Sequence, residues 1–181
     1  MSLASMETLN DKMARFERMR TELLDELRSR DPETLTARPL EDKWSVMEIV
    51  EHMAVAEREV LMGLPERSAL KTYDRTLKNR LMLKVVMFVL GRRIKVKVPS
   101  RTMNPKGEAD LRRIIEMWDE SQKWLTDYVS GCSPEELRKA VFSHPVAGPI
   151  DVEQTVDMGM AHLESHRAQI EKLLELHGRK A

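Results

Sequence analysis

Apolar residues recur every three or four positions along five segments of the chain, which is the spacing of one face of an α-helix. The segments cover residues 5–30, 46–63, 72–90, 108–129 and 151–177. At about 1.5 Å per residue, a helix of about 20–26 residues extends roughly 30–39 Å, which suits the members of a bundle. The pattern therefore predicts a mainly helical fold.

Capping and helix-breaking residues delimit these predicted helices. Ser45 and Glu48 have the spacing of a capping box, in which two side chains satisfy backbone donors at a helix start. Asp151 and Gln154 repeat that spacing before the last helix. Pro32 ends the first helix, because the residue before a proline leaves the helical region. The local signals agree with the periodicity.

The stretch from residue 65 to residue 105 is too long for a simple hairpin turn. It can cross over, so that the second and fourth predicted helices run in the same direction. Residues 94–98 alternate briefly, but no partner strand is evident, so we expect an extended loop there. A short helix is predicted from Ser133 and a loop at 144–149. We predict one all-α domain over residues 1–181, a four-helix bundle with a long crossover connection containing an additional helix.

Composition is that of a soluble globular protein, since 41% of the 181 residues are hydrophobic and 33% are charged. Cys132 is the single cysteine, so no internal disulfide is expected, which suits a reducing cytoplasm. No secretory signal is recognised, and we expect a cytoplasmic protein. The longest apolar stretch, residues 81–90 around Lys84, is too short to span a bilayer. We expect a buried or partner-covered helix there.

The formal net charge of zero conceals a basic stretch between residues 71 and 101, which holds ten Lys or Arg and one acid, Asp74. The ten are Lys71, Arg75, Lys78, Arg80, Lys84, Arg92, Arg93, Lys95, Lys97 and Arg101. Such a stretch can bind phosphates, acidic lipids or an anionic substrate. A solvated helix face followed by a basic loop is the interpretation we favour, because no recognition motif accompanies the charge. Direct nucleic-acid binding is not expected.

Three histidines are candidates for a metal site. His162 and His166 are four residues apart, so on a helix their imidazoles lie on one face and can converge on one ion. His52 borders the apolar stripe of its own predicted helix. Three imidazoles form a complete ligand set that leaves a coordination position open. His144 in a turn and His177 at a helix end are expected to be structural or solvent-facing.

Two segments carry a resemblance to a known family. Residues 44–52, WSVMEIVEH, resemble the first ligand motif of the DinB-like superfamily of proposed metalloenzymes. Residues 144–150, HPVAGPI, followed by 162–170, HLESHRAQI, resemble its closing motif. The resemblance implies a four-helix bundle with a long crossover and a divalent metal held by three histidines. It maps those ligands onto His52, His162 and His166.

The leading hypothesis is a divalent-metal-dependent enzyme using zinc, nickel, iron or manganese. Some members of the resembled superfamily use low-molecular-weight thiols, which suggests a thiol-dependent S-transferase or a hydrolase acting on a small molecule, such as an anionic one. Glu51 and Glu164 are candidate general bases or outer-shell groups, but helical geometry favours a solvated face for both. Cys132 has no obvious neighbouring base, so we do not expect it to be a nucleophile. The catalytic residues are left unassigned.

Two other functions are compatible with the sequence. One is a non-catalytic, stress-associated protein that keeps the metal for structure or sensing, which predicts a closed coordination sphere. The other is an interaction module in which the helix containing residues 85–90 packs in a homodimer.

Overall fold

The computed structural model describes residues 3–40, 42–74, 76–92, 101–108 and 110–179. These residues form seven α-helices, two short 3-10 helices and one two-stranded sheet. In chain order they are α1 (Leu3–Arg28), α2 (Pro32–Thr36), α3 (Val46–Met62), the 3-10 helix Arg67–Ala69, α4 (Leu77–Gly91), the 3-10 helix Arg101–Met103, α5 (Leu111–Gly131), α6 (Pro134–Lys139), β1 (Val141–His144), β2 (Gly148–Asp151) and α7 (Val152–Gly178).

The four long helices α1, α3, α5 and α7 enclose the apolar core. Each contributes large side chains that are almost fully buried, among them Leu23, Met53, Trp118 and Leu163. These residues fall on the stripes of three-to-four spacing, because that spacing places them on the helix faces that meet. The predicted helical bundle is confirmed.

Contacts between the helices define their relative directions. Trp118 of α5 donates its indole N–H to Glu57 of α3 at 2.7 Å, and Tyr128, later in α5, donates its hydroxyl to the carbonyl of Pro65 just after α3 at 2.8 Å. Later residues of α5 thus contact later residues of the α3 segment. The two helices are therefore parallel, as predicted for a bundle with a long crossover. That crossover contains α4, the predicted additional helix.

Helices α1 and α7 are also parallel to each other. Lys12 of α1 pairs with Glu153 at 2.8 Å near the start of α7, and Glu22 pairs with Arg167 at 3.6 Å further along both helices. Arg20 of α1 pairs with Asp119 in the middle of α5, and later positions of α1 lie beside the beginning of α5. Helices α1 and α5 are therefore antiparallel. The bundle thus runs up, down, down and up.

Both predicted capping boxes are present. The Glu48 amide donates to Ser45 Oγ at 3.2 Å, and the Ser45 amide donates to a Glu48 carboxylate oxygen at 2.8 Å. Asp151 and Gln154 make the same reciprocal pair at the start of α7. These caps orient the first turns of the two helices that carry the candidate histidines.

Two connections before α5 differ from their prediction. Pro32–Thr36 is a short helix that the sequence did not predict, and it forms because proline suits the first turn and Leu35 is buried. Helix α4 begins five residues later than expected, where Thr76 makes a capping box with Asn79. The predicted loop at residues 94–98 lies outside the described residues. The described part of the crossover that follows it contains the 3-10 helix Arg101–Met103.

The predicted loop at 144–149 forms the turn and part of an antiparallel hairpin, with His144 opposite Gly148 and Phe142 opposite Ile150. Pro149 lies within β2, which is possible because in a two-stranded sheet every strand is an edge, and edge strands accept proline. Gly148 has a φ of +74°, a region that glycine occupies at little cost. The hairpin leads directly into α7.

Helix α4 lies outside the four-helix core, where one side contacts α7 and β2. None of its side chains is buried, and Leu77, Leu81, Val85 and Phe88 are between 42% and 81% exposed. Burial of this helix within the chain was therefore wrongly expected, since the bundle is already complete without it. Cover by a partner stays a prediction. Among the described helices, none has the length and apolarity needed to cross a membrane.

Candidate metal centre

The three predicted ligands come together between α3 and α7. His52 lies in the second turn of α3, and His162 and His166 lie one turn apart in α7. The His52 ring centroid is 5.3 Å from that of His162 and 5.0 Å from that of His166, and the latter two are 4.5 Å apart. One nitrogen of each lies within 4.8 Å of the others. The structure thus joins residues that are more than a hundred positions apart.

Hydrogen bonds determine which nitrogen of two rings faces the cluster. The Met103 carbonyl lies 2.7 Å from Nδ1 of His52, and because a carbonyl only accepts, that nitrogen carries the proton. Gln169 Oε1 lies 3.2 Å from Nδ1 of His166 and assigns the same tautomer there. Both Nε2 atoms therefore keep their lone pairs. Nε2 of His166 lies 3.0 Å from Nε2 of His162.

All three imidazoles favour the neutral form that binds metals. Burial lowers the pKa of His52, and burial with the neighbouring His52 lowers the pKa of His166 to about 4. Burial and the two other rings lower the pKa of His162 well below its ordinary value. A neutral imidazole offers a lone pair without first releasing a proton. The cluster is therefore prepared for a cation at neutral pH.

The donor set fits a divalent transition metal. Imidazole nitrogens bound to zinc lie about 2.0–2.1 Å from the ion, so they are roughly 3.4 Å apart in a tetrahedral arrangement. The nitrogens here lie within 4.8 Å of one another, so small ring movements suffice. Within the described residues the cluster consists of three histidines without a carboxylate, which suits zinc, nickel or iron better than magnesium or calcium.

An aromatic ring and a polar partner adjoin the site. The Trp44 ring packs against His52 with centroids 4.9 Å apart. Gln169 follows His166 by three positions, a helical spacing that places the two side chains together. That spacing was visible in the sequence, whereas the carbonyl of Met103 comes from the crossover and left no local signal.

Glu51 corrects an expectation. Its side chain was expected on a solvated face, yet the residue is only 3% exposed. Its carboxylate accepts backbone N–H bonds from Lys106 at 2.9 Å, Gly107 at 2.9 Å and Glu108 at 3.0 Å. Helical geometry alone could not show that the crossover returns over this part of α3. Glu164, by contrast, is exposed as expected.

The remaining candidates lie apart from the cluster. His144 Nδ1 accepts the backbone N–H groups of Val146 at 3.1 Å and Ala147 at 2.9 Å, which confirms a structural role. Burial lowers the pKa of His144, in keeping with a neutral acceptor. His177 occupies the last turn of α7. Cys132 is buried, and burial raises the pKa of its thiol, so the thiolate form is disfavoured.

Comparisons with known proteins extend this description. A protein-family model described as the DinB superfamily matches residues 15–170. A solved structure titled "Crystal structure of TT2238, a four-helix bundle protein" is similar with a TM-score of 0.53 and 17% sequence identity. That similarity covers 89% of this chain and 97% of the other, and it concerns the fold. No curated protein matches the sequence.

Proposed function

The chain belongs to the DinB superfamily, and we propose that it is a metal-dependent enzyme whose divalent ion is held by His52, His162 and His166. The observation that carries this proposal is the convergence of three neutral imidazoles between α3 and α7. Zinc, nickel, iron and manganese are the candidate ions. Bound there, such an ion would lower the pKa of a coordinated water or thiol and supply a nucleophile at neutral pH.

The protein's own groups would prepare the site for this chemistry. Met103 and Gln169 hold the protons of two rings on Nδ1, so that Nε2 stays free. The Trp44 ring covers one side of His52 and keeps water from it. The basic residues of the crossover would raise the local concentration of an anionic substrate.

The reaction we propose is a thiol-dependent S-transfer, or a hydrolysis, on a small molecule. Three protein ligands leave room for a thiol or a water beside the substrate, which supports either class. No carboxylate is assigned as general base, because Glu51 is engaged by backbone amides and Glu164 faces solvent. A low-molecular-weight thiol would then be a second cofactor.

Elemental analysis of tag-free protein tests the ligand assignment. We expect close to one equivalent of a divalent metal in the wild type and in His177→Ala, whose imidazole lies at the end of α7. We expect loss of most of that metal in His52→Ala and His162→Ala, because each removes one of three ligands. Stoichiometric metal in both of the latter variants would contradict the site.

A screen of the metal-loaded protein with small thiols and electrophiles tests the activity. We expect turnover that disappears in His162→Ala and returns when metal is restored to chelator-treated wild type. Metal binding without turnover across the screen would instead favour the non-catalytic, stress-associated role.

A dimeric interaction protein is the second candidate function. The observation that favours it is the exposed apolar face of α4, formed by Leu77, Leu81, Val85 and Phe88. Large exposed apolar patches are typical of interaction sites. The two functions are compatible, because α4 stands outside the bundle that carries the histidines.

A further inference from the structure

Glu51 uses both of its carboxylate oxygens to hold one loop. Oε1 accepts the Lys106 amide, and Oε2 accepts the amides of Gly107 and Glu108, all within 3.0 Å. Three consecutive N–H groups converge on one point only when the backbone curls sharply. Gly107 makes that curl with a φ of +87°. The backbone conformation of the loop therefore fits the Glu51 carboxylate. A chance contact between two surface side chains would not require such a conformation.

The next residue of α3 holds the same loop at a second point. His52 Nδ1 donates to the carbonyl of Met103, three residues before Lys106. Consecutive residues of a helix point in directions about 100° apart, so the loop wraps around two sides of α3. A further contact, from Thr102 to Glu59 at 3.3 Å, lies on the exposed surface. Glu51 and His52 are therefore the buried anchors of this loop.

We propose that Glu51 is a positioning residue of the metal centre: it holds the loop at 103–108 so that the Met103 carbonyl orients His52. This inference rests on the proposed metal site. The carbonyl keeps the proton of His52 on Nδ1 and its Nε2 toward His162 and His166. A neutral imidazole without such a partner exchanges its proton between two nitrogens and turns more freely.

The role is distinct from catalysis. Glu51 itself points at backbone amides and is not among the three metal-facing side chains. It acts through the loop and His52. Partners of this kind typically change metal affinity by about 10–100-fold. Loss of Glu51 should therefore weaken metal binding even though all three ligands remain in the chain.

Two substitutions remove the contact from opposite sides. Glu51→Gln keeps the size of the side chain but replaces one acceptor oxygen by a donor that meets N–H groups. Gly107→Ala leaves Glu51 intact and, with no atom within 4 Å of the added Cβ, acts only through the backbone conformation. Glu59→Gln is the matched control, because Glu59 is another α3 carboxylate that contacts the same loop at an exposed position.

Zinc affinity, measured by chelator competition, and the His52 tautomer, measured by ¹⁵N NMR of the metal-free protein, are the two readouts. We expect about 10–100-fold weaker zinc binding in Glu51→Gln and Gly107→Ala, with a mixed His52 tautomer and faster amide exchange at 106–108. Glu59→Gln should retain the wild-type affinity and tautomer. A Glu51 that only stabilises the fold would lower the melting temperature without moving the tautomer.

The outcomes separate the two proposals. Wild-type protein that binds none of zinc, nickel, iron and manganese would overturn the metal site, and an unperturbed tautomer in the variants would overturn the positioning role by itself. Wild-type affinity in folded Glu51→Gln would do the same while leaving the site intact. If Glu51→Gln fails to fold, Gly107→Ala decides the question, since it retains the carboxylate.

Discussion

At the scale of single residues, Glu57 is the second carboxylate of α3 that tertiary structure places in an unusual environment. Trp118 donates its indole N–H to Glu57 at 2.7 Å, and the Gln122 amide donates to the other oxygen. Burial raises the pKa of Glu57 to about 7, against the opposing effects of these hydrogen bonds and of Arg20. The group therefore changes charge near physiological pH.

The raised pKa of Glu57 makes stability depend on pH. Between pH 4.5 and about pH 7 the folded state binds the Glu57 proton more tightly than the unfolded state does. The stabilisation that protonated Glu57 contributes is fully present below pH 4.5 and is lost as the pH rises through about 7. Glu57→Gln removes this titration. We expect its stability relative to wild type to improve by about 1–2 kcal/mol between pH 5 and pH 8, less than the full shift because the residue is partly exposed.

Urea denaturation of the metal-free proteins at the two pH values measures this difference. The histidines titrate alike in wild type and variant, so their contribution cancels. A stability difference that is the same at pH 5 and pH 8 would show that Glu57 titrates as an ordinary exposed carboxyl.

The candidate ligands could be chosen from the sequence because a helix places positions 162 and 166 on one face. The inward position of His52 followed from its apolar neighbours. The environment of Glu51 could not be predicted in this way, since its partners are main-chain amides from a loop 55 to 57 residues away. Because every non-proline residue carries a backbone amide, no side-chain pattern in the sequence indicates which amides will bind Glu51.

At the scale of elements, α4 is the helix whose role is least explained by the bundle. Its exposed face places Leu81 and Phe88 beside the charges of Lys78 and Lys84. An apolar face of this kind gains free energy when it is covered. The adjacent like charges would oppose a symmetric pair of α4 helices, and added salt would screen that repulsion.

A homodimer through α4 is therefore expected to respond to two changes. Leu81→Lys combined with Phe88→Lys should raise the dimer Kd by at least about 100-fold, because each buried side chain contributes about 1.5–3 kcal/mol. Higher salt should strengthen the wild-type dimer. Sedimentation equilibrium measures both, and Lys78→Ala, which removes one of the opposing charges, should lower the Kd instead.

A wild-type protein that stays monomeric at high concentration and high salt would rule out this dimer. Circular dichroism of the double variant shows whether the bundle remains folded. Because α4 packs outside the core, we expect the helical signal to persist.

Helix positions were predictable where the signals were local. Ser45 with Glu48 and Asp151 with Gln154 marked helix starts that the structure confirms. The strands Val141–His144 and Gly148–Asp151 were not predicted, since four residues with a proline give too short an alternation. They pair because the turn between them is closed by His144 and by Gly148 at positive φ.

At the scale of the whole molecule, the histidine cluster connects two bundle helices through one small site. His52 belongs to α3, and His162 and His166 belong to α7. An ion that binds the folded protein but not the unfolded chain stabilises the fold by mass action. An ion held by the three histidines would therefore link metal binding to global stability.

Adding zinc to chelator-treated protein is expected to raise the melting temperature. At about 100 times the Kd the stabilisation is about 2.7 kcal/mol, which corresponds to about 5–10 °C for a chain of this size. Differential scanning calorimetry measures the shift, and His162→Ala should show little of it. An equal shift in wild type and in that variant would mean that zinc stabilises the protein elsewhere.

The sequence by itself determined the four long bundle helices, the caps at Ser45 and Asp151 and the candidate ligand set, because periodicity, capping and the four-residue spacing of His162 and His166 act over a few neighbouring positions. A single domain and a cytoplasmic location stay predictions. Only the tertiary structure decided that Glu51 is buried, that Met103 orients His52 and that the apolar face of α4 is exposed. These features depend on where the crossover returns to the bundle, and contacts between distant segments follow from the packing of the whole chain.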